Sequence, residues 1–191
     1  HFFFFFCGHA KSLHLPLQEK LKIDQKNKLD SGITPLGLKV IDALLDNSDS
    51  KRILIDIKHM SRASRKAYFE IAFQKNVPLI ASHAGVIGLK NEGGAETITG
   101  ASKLFVNEDI NFYDDEIIAI AKSNGLIGIQ LDERRIASSD VLHHTNFVDI
   151  SYHWEKWAYL LWRQVQHVGD VLDNSEMPAW DITCLGTDFD G

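Results

Sequence analysis

The chain has 191 residues, 45% of them hydrophobic and 24% charged, with a formal net charge of -6 and a pI near 5.8. Such a composition describes a soluble globular chain with enough apolar material for one sizeable core, expected as a single domain spanning residues 1–191. The acidic balance and the lack of a lysine or arginine stripe argue against nucleic acid as a partner. Cys7 and Cys184 show neither CxxC nor Cys/His ligand spacing, so a disulfide framework and a zinc ribbon are excluded, and both thiols are expected in the core.

Phe2 to Cys7 is aromatic and unbroken, as a strand buried on both faces would be; it is too short to span a bilayer and lacks the charged flank of a signal peptide. The polar stretch Gln18 to Asp30 reads as a surface connection. Thr34-Pro35 supplies an N-cap with proline at the first helical position, and Leu38, Ile41, Leu44 and Leu45 recur at helical spacing. A strand is expected from Ile53 to Ile57. After it, Ser61 caps a helix with Ala67, Tyr68, Ile71 and Ala72 on its apolar side and Arg62, Arg65 and Lys66 on its wet side.

The next strand is expected from Pro78 to Ala81, followed by a long Gly- and Thr-rich loop from Ala84 to Lys103 of the kind that shapes a site. Asp114-Asp115-Glu116 places negative charge at a helix start and Asn124-Gly125 ends that helix. Leu126 to Leu131 reads as a strand. From Ser151 to Leu172 a stripe of Trp154, Trp157, Leu161, Val165, Val168 and Leu172 predicts a helix whose tryptophans pack inward. A last strand begins at Ile182.

Strands alternating with helices give the βα rhythm of a parallel sheet. A closed (β/α)8 TIM barrel usually needs about 250 residues, so the chain is read as the later part of one. An open doubly wound sheet is the alternative, although no G-x-G-x-x-G fingerprint follows a strand. The chain opens inside an apolar run and stops at Asp190-Gly191, and it is expected to be an excerpt of a longer protein, inactive in isolation.

Two of the apolar runs end in histidine, Ile53-Leu-Ile-Asp-Ile-Lys-His59 and Pro78-Leu-Ile-Ala-Ser-His83. A third, Ile182-Thr-Cys-Leu-Gly-Thr-Asp188, ends in a carboxylate. Parallel strands joined by crossovers carry their C-terminal ends to one rim, where barrel active sites collect. Two imidazoles and a carboxylate on that rim suit a borderline divalent ion such as zinc and a metal-assisted hydrolysis. A ligand histidine needs an acceptor on its other nitrogen, and Asp56 is a candidate for that role. His143-His144 is expected in a solvated loop, while His153 and His167 share a helix face without sharing a ligand sphere.

These residues form part of an ordered series: Gly32-Ile-Thr-Pro-Leu-Gly37, Leu54-Ile-Asp-Ile-Lys-His-Met-Ser61, Pro78-Leu-Ile-Ala-Ser-His83, Asn111 to Ile117 with Gly125-Leu-Ile-Gly128, and Gly186-Thr-Asp-Phe-Asp-Gly191. The series resembles the motifs of the membrane (renal) dipeptidase family, peptidase family M19 of the amidohydrolase superfamily. The resemblance implies a metal-dependent (β/α)8 barrel with a two-zinc centre, hydrolysing dipeptides or related small amides. It implies that His59 and His83 bind one of the metals and that Asp188 relays the proton of the bridging water, while Asp190 matches no such role and reads as a turn former.

The family's first-strand histidine-x-aspartate pair and its bridging glutamate would lie upstream of what this chain contains. Its substrate-contacting histidine is matched by His9, with His1 as the alternative. Where the family carries a substrate-gripping arginine, Ile110 stands here, and only Lys90 or Arg134 offers a replacement cation. The expected partner is thus a dipeptide or other small molecule. The other readings are a hydrolase of an N-acyl amino acid or lactone, and a non-catalytic metal- or ligand-binding relative. A homodimer is compatible with the sequence, which leaves compartment and metal identity open.

Overall fold

The computed structural model describes residues 32–48, 51–92, 95–98, 103–144 and 153–188. The run from Phe2 to Cys7, the connection from Gln18 to Asp30, His1, His9, His14, Gly93-Gly94 and Asp190 lie outside them. Helix α1 (Pro35–Leu44) begins as expected, with the Thr34 hydroxyl accepting from Gly37 N at 3.1 Å and proline in the first turn. Its stripe buries Ile41 and Leu45 and leaves Leu38 exposed. The chain then passes through Ile53 to Ile57, where no full strand forms. A single parallel bridge joins Asp56 to Ile80, and Ile57 N donates to Ile80 O at 2.9 Å. The expected strand is thereby reduced to its last turn before His59.

Helix α2 (Arg62–Gln74) is capped by Ser61, whose hydroxyl accepts from Ser64 N at 3.2 Å. Tyr68 and Ala72 are wholly buried, yet so is Arg65, which corrects its expected place on the wet face. Spacing alone set that expectation; the pairing with a carboxylate from another helix, described below, overrides it. Strand β1 (Ile80–Ala84) starts two residues later than the sequence suggested. The segment read as one long loop instead contains an antiparallel hairpin of β2 (Leu89–Glu92) and β3 (Ala95–Ile98).

Helix α3 (Asp114–Lys122) carries the acidic first turn and is followed by Asn124, whose φ of 54° takes the left-handed conformation usual just past a helix end. Strand β4 (Leu126–Ile129), the short helices α4 (Glu133–Ile136) and α5 (Ser139–His144), the long helix α6 (His153–Asp173) and strand β5 (Thr183–Leu185) complete the order. His143 and His144 thus close a helix, where a loop was expected.

β1, β4 and β5 form one parallel sheet in that order, with Ala81 opposite Ile127 and Gly128 opposite Cys184. Adding the Asp56 bridge gives a sheet whose neighbours follow chain order without reversal, the arrangement of successive βα units winding one way. Among the described residues the sheet is open. Ile57, Leu79, Ile117, Ile127, Val168 and Leu172 share one core with no exposed surface. Each such side chain contributes about 1.5–3 kcal/mol by leaving water.

Helix α6 docks through its C-terminal half. Two polar side chains lock it: Gln164 Oε1 accepts from Val86 N at 2.6 Å while its Nε2 donates to Ile136 O at 2.7 Å. His167 Nε2 meets Asp114 Oδ1 at 2.7 Å in a buried pair. The N-terminal half corrects the expected inward tryptophans, because Trp154 is 64% exposed and Trp157 41% exposed. Cys184 also departs from expectation and is exposed, since the short β5 lies at the sheet edge. Among the described residues no helix is long and apolar enough to cross a membrane.

Candidate metal centre

The strand ends bring together three of the residues singled out by sequence. His59 Nε2 and His83 Nε2 lie 3.0 Å apart, with ring centroids 5.0 Å apart and planes inclined by 55°. Asp188 Oδ2 is 3.7 Å from His83 Nε2. Two nitrogens bound to one tetrahedral zinc at about 2.0–2.1 Å each would lie about 3.3 Å apart, so the pair is spaced as two ligands of one ion would be.

Backbone geometry positions all three. His59 has φ 68° and Asp188 φ 56°, in the left-handed region that non-glycine residues seldom enter outside turns and helix ends. His83 is turned by an irregularity in β1: between the pairs Ala81–Ile127 and Ala84–Ile129, β1 spends one residue more than β4. Such bulges re-aim side chains at strand ends. Gly128 and Gly186 flank this point, and a Cβ on either would collide with the Ser82 carbonyl. The glycines of the fourth and last sequence motifs therefore permit the close strand approach that carries Ser82 and His83 to the rim.

A relay of hydrogen bonds orients His83. Asp56 Oδ1 accepts from Lys58 N and from Ser82 N, each at 3.0 Å, and the Ser82 hydroxyl donates to Asp56 Oδ2. With its proton so committed, Ser82 Oγ accepts from His83 Nδ1 at 2.8 Å. The proton on Nδ1 leaves the lone pair on Nε2, the atom that faces His59. Asp56 thus acts through Ser82 rather than touching a histidine, and Ser82 is a positioning residue that sequence reasoning missed. The Ser-His dipeptide and the Asp-x-x-His spacing were the available signals.

Electrostatics hold the pair neutral. Loss of hydration around the His59 ring, then the Lys58 ammonium and the facing His83, push its pKa down to about 4. Loss of hydration lowers His83 as well, with the Asp188 carboxylate opposing. Neutral imidazoles are the form that binds cations. Lys58 is buried, and burial followed by the charges of Arg65 and Arg135 brings its pKa down to about 7. Its Nζ donates to Ile110 O at 3.1 Å.

Ile110 itself is buried, so the position matched to an arginine contributes a carbonyl to Lys58 and no side chain to the rim. Arg134 is well exposed and already forked onto Asp132, with Nε at 2.9 Å from Oδ1 and the terminal nitrogen at 2.8 Å from Oδ2.

Behind the rim, the buried Arg65 joins α2 to α3. It bonds both Glu116 oxygens, at 2.6 and 3.0 Å, and donates to the carbonyls of Met60, Asp109 and Asn111. Burial pushes the Glu116 carboxyl upward while the guanidinium holds it back. The clamp fixes Met60, next to His59, against the segment that holds Ile110.

The donor set fits a divalent cation in part. Two neutral imidazoles converge, but no group of three or more His, Cys, Asp or Glu side chains among the described residues is arranged to hold a metal ion. His59 and His83 would hold such an ion together with ligands from outside that set.

No protein-family model matches the chain, and no curated protein matches it. Solved structures do resemble it. The dipeptidase AC, a metallopeptidase of family M19, aligns at 18% identity and TM-score 0.47, over 84% of this chain and 35% of its own. A metallopeptidase from Rhodobacter sphaeroides, solved with a phosphinate mimic of the dipeptide L-Ala-D-Ala, aligns at 18% identity and TM-score 0.48, also over 84% of this chain and 35% of its own. The probable dipeptidase PvdM from Pseudomonas aeruginosa aligns at 16% identity and TM-score 0.45, over 82% of this chain and 42% of its own. The chain thus spans well under half the length of the solved structures it matches.

Proposed function

We propose that the full-length protein is a metal-dependent hydrolase that cleaves the amide bond of dipeptides or related small amides. Residues 1–191 would form the later part of one barrel domain. The observation that carries this reading is the convergence of His59 and His83 Nε2 at 3.0 Å beside Asp188. The ordered sequence motifs, resembling those of the membrane dipeptidase family, point the same way.

Zinc, two ions in that family, would lower the pKa of a bound water toward neutrality and so supply hydroxide to attack a carbonyl. His59 and His83 would hold one ion through their Nε2 lone pairs. The Asp56-Ser82 relay keeps the His83 proton on Nδ1, so that the ligand atom stays free of it. Asp188 stands 3.7 Å from His83 Nε2 and is partly open to solvent. Its carboxylate receives the proton of the attacking water and passes it to the departing amine.

The test is substitution in the full-length protein. His59→Ala and His83→Ala are expected to lose bound zinc and hydrolysis together, whereas Asp188→Asn keeps zinc and loses turnover. Full hydrolysis by Asp188→Asn would reject the proton-relay role, and unchanged zinc content in both histidine variants would reject the centre.

A further inference from the structure

A cavity of about 700 Å³ adjoins the candidate centre, between the exit of β4 and the N-terminal half of α6, and Asp188 is part of its wall. The volume is that of a small-molecule site. Leu131, Ile136, Trp157, Ala158 and Leu161 form its apolar lining. Its charged lining residues other than Asp188 are already matched: Arg134 is forked onto Asp132, and Glu133 meets Lys156 at 3.4 Å. A substrate carboxylate entering here would have to share the Arg134 guanidinium with Asp132, which already takes its Nε edge, and would then lie among the carboxylates of Asp132, Glu133 and Asp188. Such like-charge crowding is unfavourable in a partly desolvated pocket.

We infer that this cavity receives the amine-side group of the substrate and selects for one that is apolar and uncharged, such as an alkyl or aryl amide, over the free carboxylate of a dipeptide. The inference rests on the reaction centre proposed above. If Asp188 hands a proton to the departing amine, that nitrogen comes within about 2.6–3.2 Å of its carboxylate. Whatever the nitrogen carries then enters the space that Asp188 borders.

The test compares alanine 2-naphthylamide with alanyl-alanine as substrates of the zinc-loaded full-length protein, and measures binding of free 2-naphthylamine by energy transfer from tryptophan. The naphthylamide is expected to have a kcat/KM at least about tenfold higher. Ala158 is exposed on α6, so Ala158→Trp fills the cavity without entering the core. This variant is expected to weaken naphthylamine binding about tenfold or more, and the smaller graft Ala158→Met is expected to weaken it less. Equal or better turnover of alanyl-alanine, or naphthylamine binding indifferent to both variants, would overturn the inference and leave the reaction centre standing. Hydrolysis of neither substrate, with binding still sensitive to Ala158, would overturn the reaction centre while supporting the cavity's preference for an uncharged apolar group.

Discussion

Arg65→Met tests the buried clamp that holds the His59 segment. The methionine keeps most of the aliphatic volume and removes the charge. Glu116 then loses the guanidinium and keeps the Tyr113 N–H, at 3.0 Å. The carbonyls of Met60, Asp109 and Asn111 lose their donor as well. Both Arg65 and Glu116 side chains are nearly free of solvent contact, at 0% and 6% exposure, so screening relieves little of the loss.

Removing one partner of a buried pair costs about 3–5 kcal/mol, a large part of the 5–15 kcal/mol by which a folded domain is usually stable. With a urea slope of roughly 2 kcal/mol/M, the unfolding midpoint should fall by about 1.5–2.5 M at pH 7. Acidification should restore part of the deficit. Burial raises the Glu116 carboxyl in the folded state, so protonation favours folding, and in the variant stability rises as pH falls from 7 toward the ordinary carboxylate range. A deficit below about 1 kcal/mol, or one that does not shrink on acidification, would refute the account of the clamp.

Three further outcomes are expected. Ser82→Ala breaks the relay to His83 and should weaken zinc binding about 10–100-fold in equilibrium dialysis while leaving the fold intact; unchanged affinity would remove Ser82 from the site. Gly128→Ala drives a methyl into the Ser82 carbonyl and should cost about 1–3 kcal/mol in urea unfolding, with hydrolysis falling as His83 is displaced. Tyr68 is buried with no hydrogen-bond partner for its hydroxyl among the described residues, so Tyr68→Phe should stabilise by about 1 kcal/mol. Burial also raises the Tyr68 pKa from 10.0 to about 12, so the parent loses stability as pH rises through that window and the phenylalanine variant should escape this loss; parallel pH profiles would contradict it.

Three of the helices, and the meeting of His59, His83 and Asp188, were legible in the residues alone. Thr34-Pro35, Ser61 and the Asp114-Asp115-Glu116 run are local signals, read by groups within a turn of one another, and the structure forms helices where they stand. His59, His83 and Asp188 were legible for a related reason, because parallel strands joined by crossovers carry their C-terminal ends to one rim whatever fills the core.

The remaining features depend on contacts between segments far apart in the chain. Arg65 reads as a surface residue until Glu116, far along the chain, supplies a carboxylate to bury with it. Gln164 and His167 read as ordinary helix polars until α6 lies against Val86, Ile136 and Asp114. The span from Ile53 to Ile57 has the composition of a strand but, among the described residues, finds a ladder partner only at Asp56. Composition states what a residue can bond; packing across distant segments decides which partner it meets and which nitrogen of His83 faces Ser82.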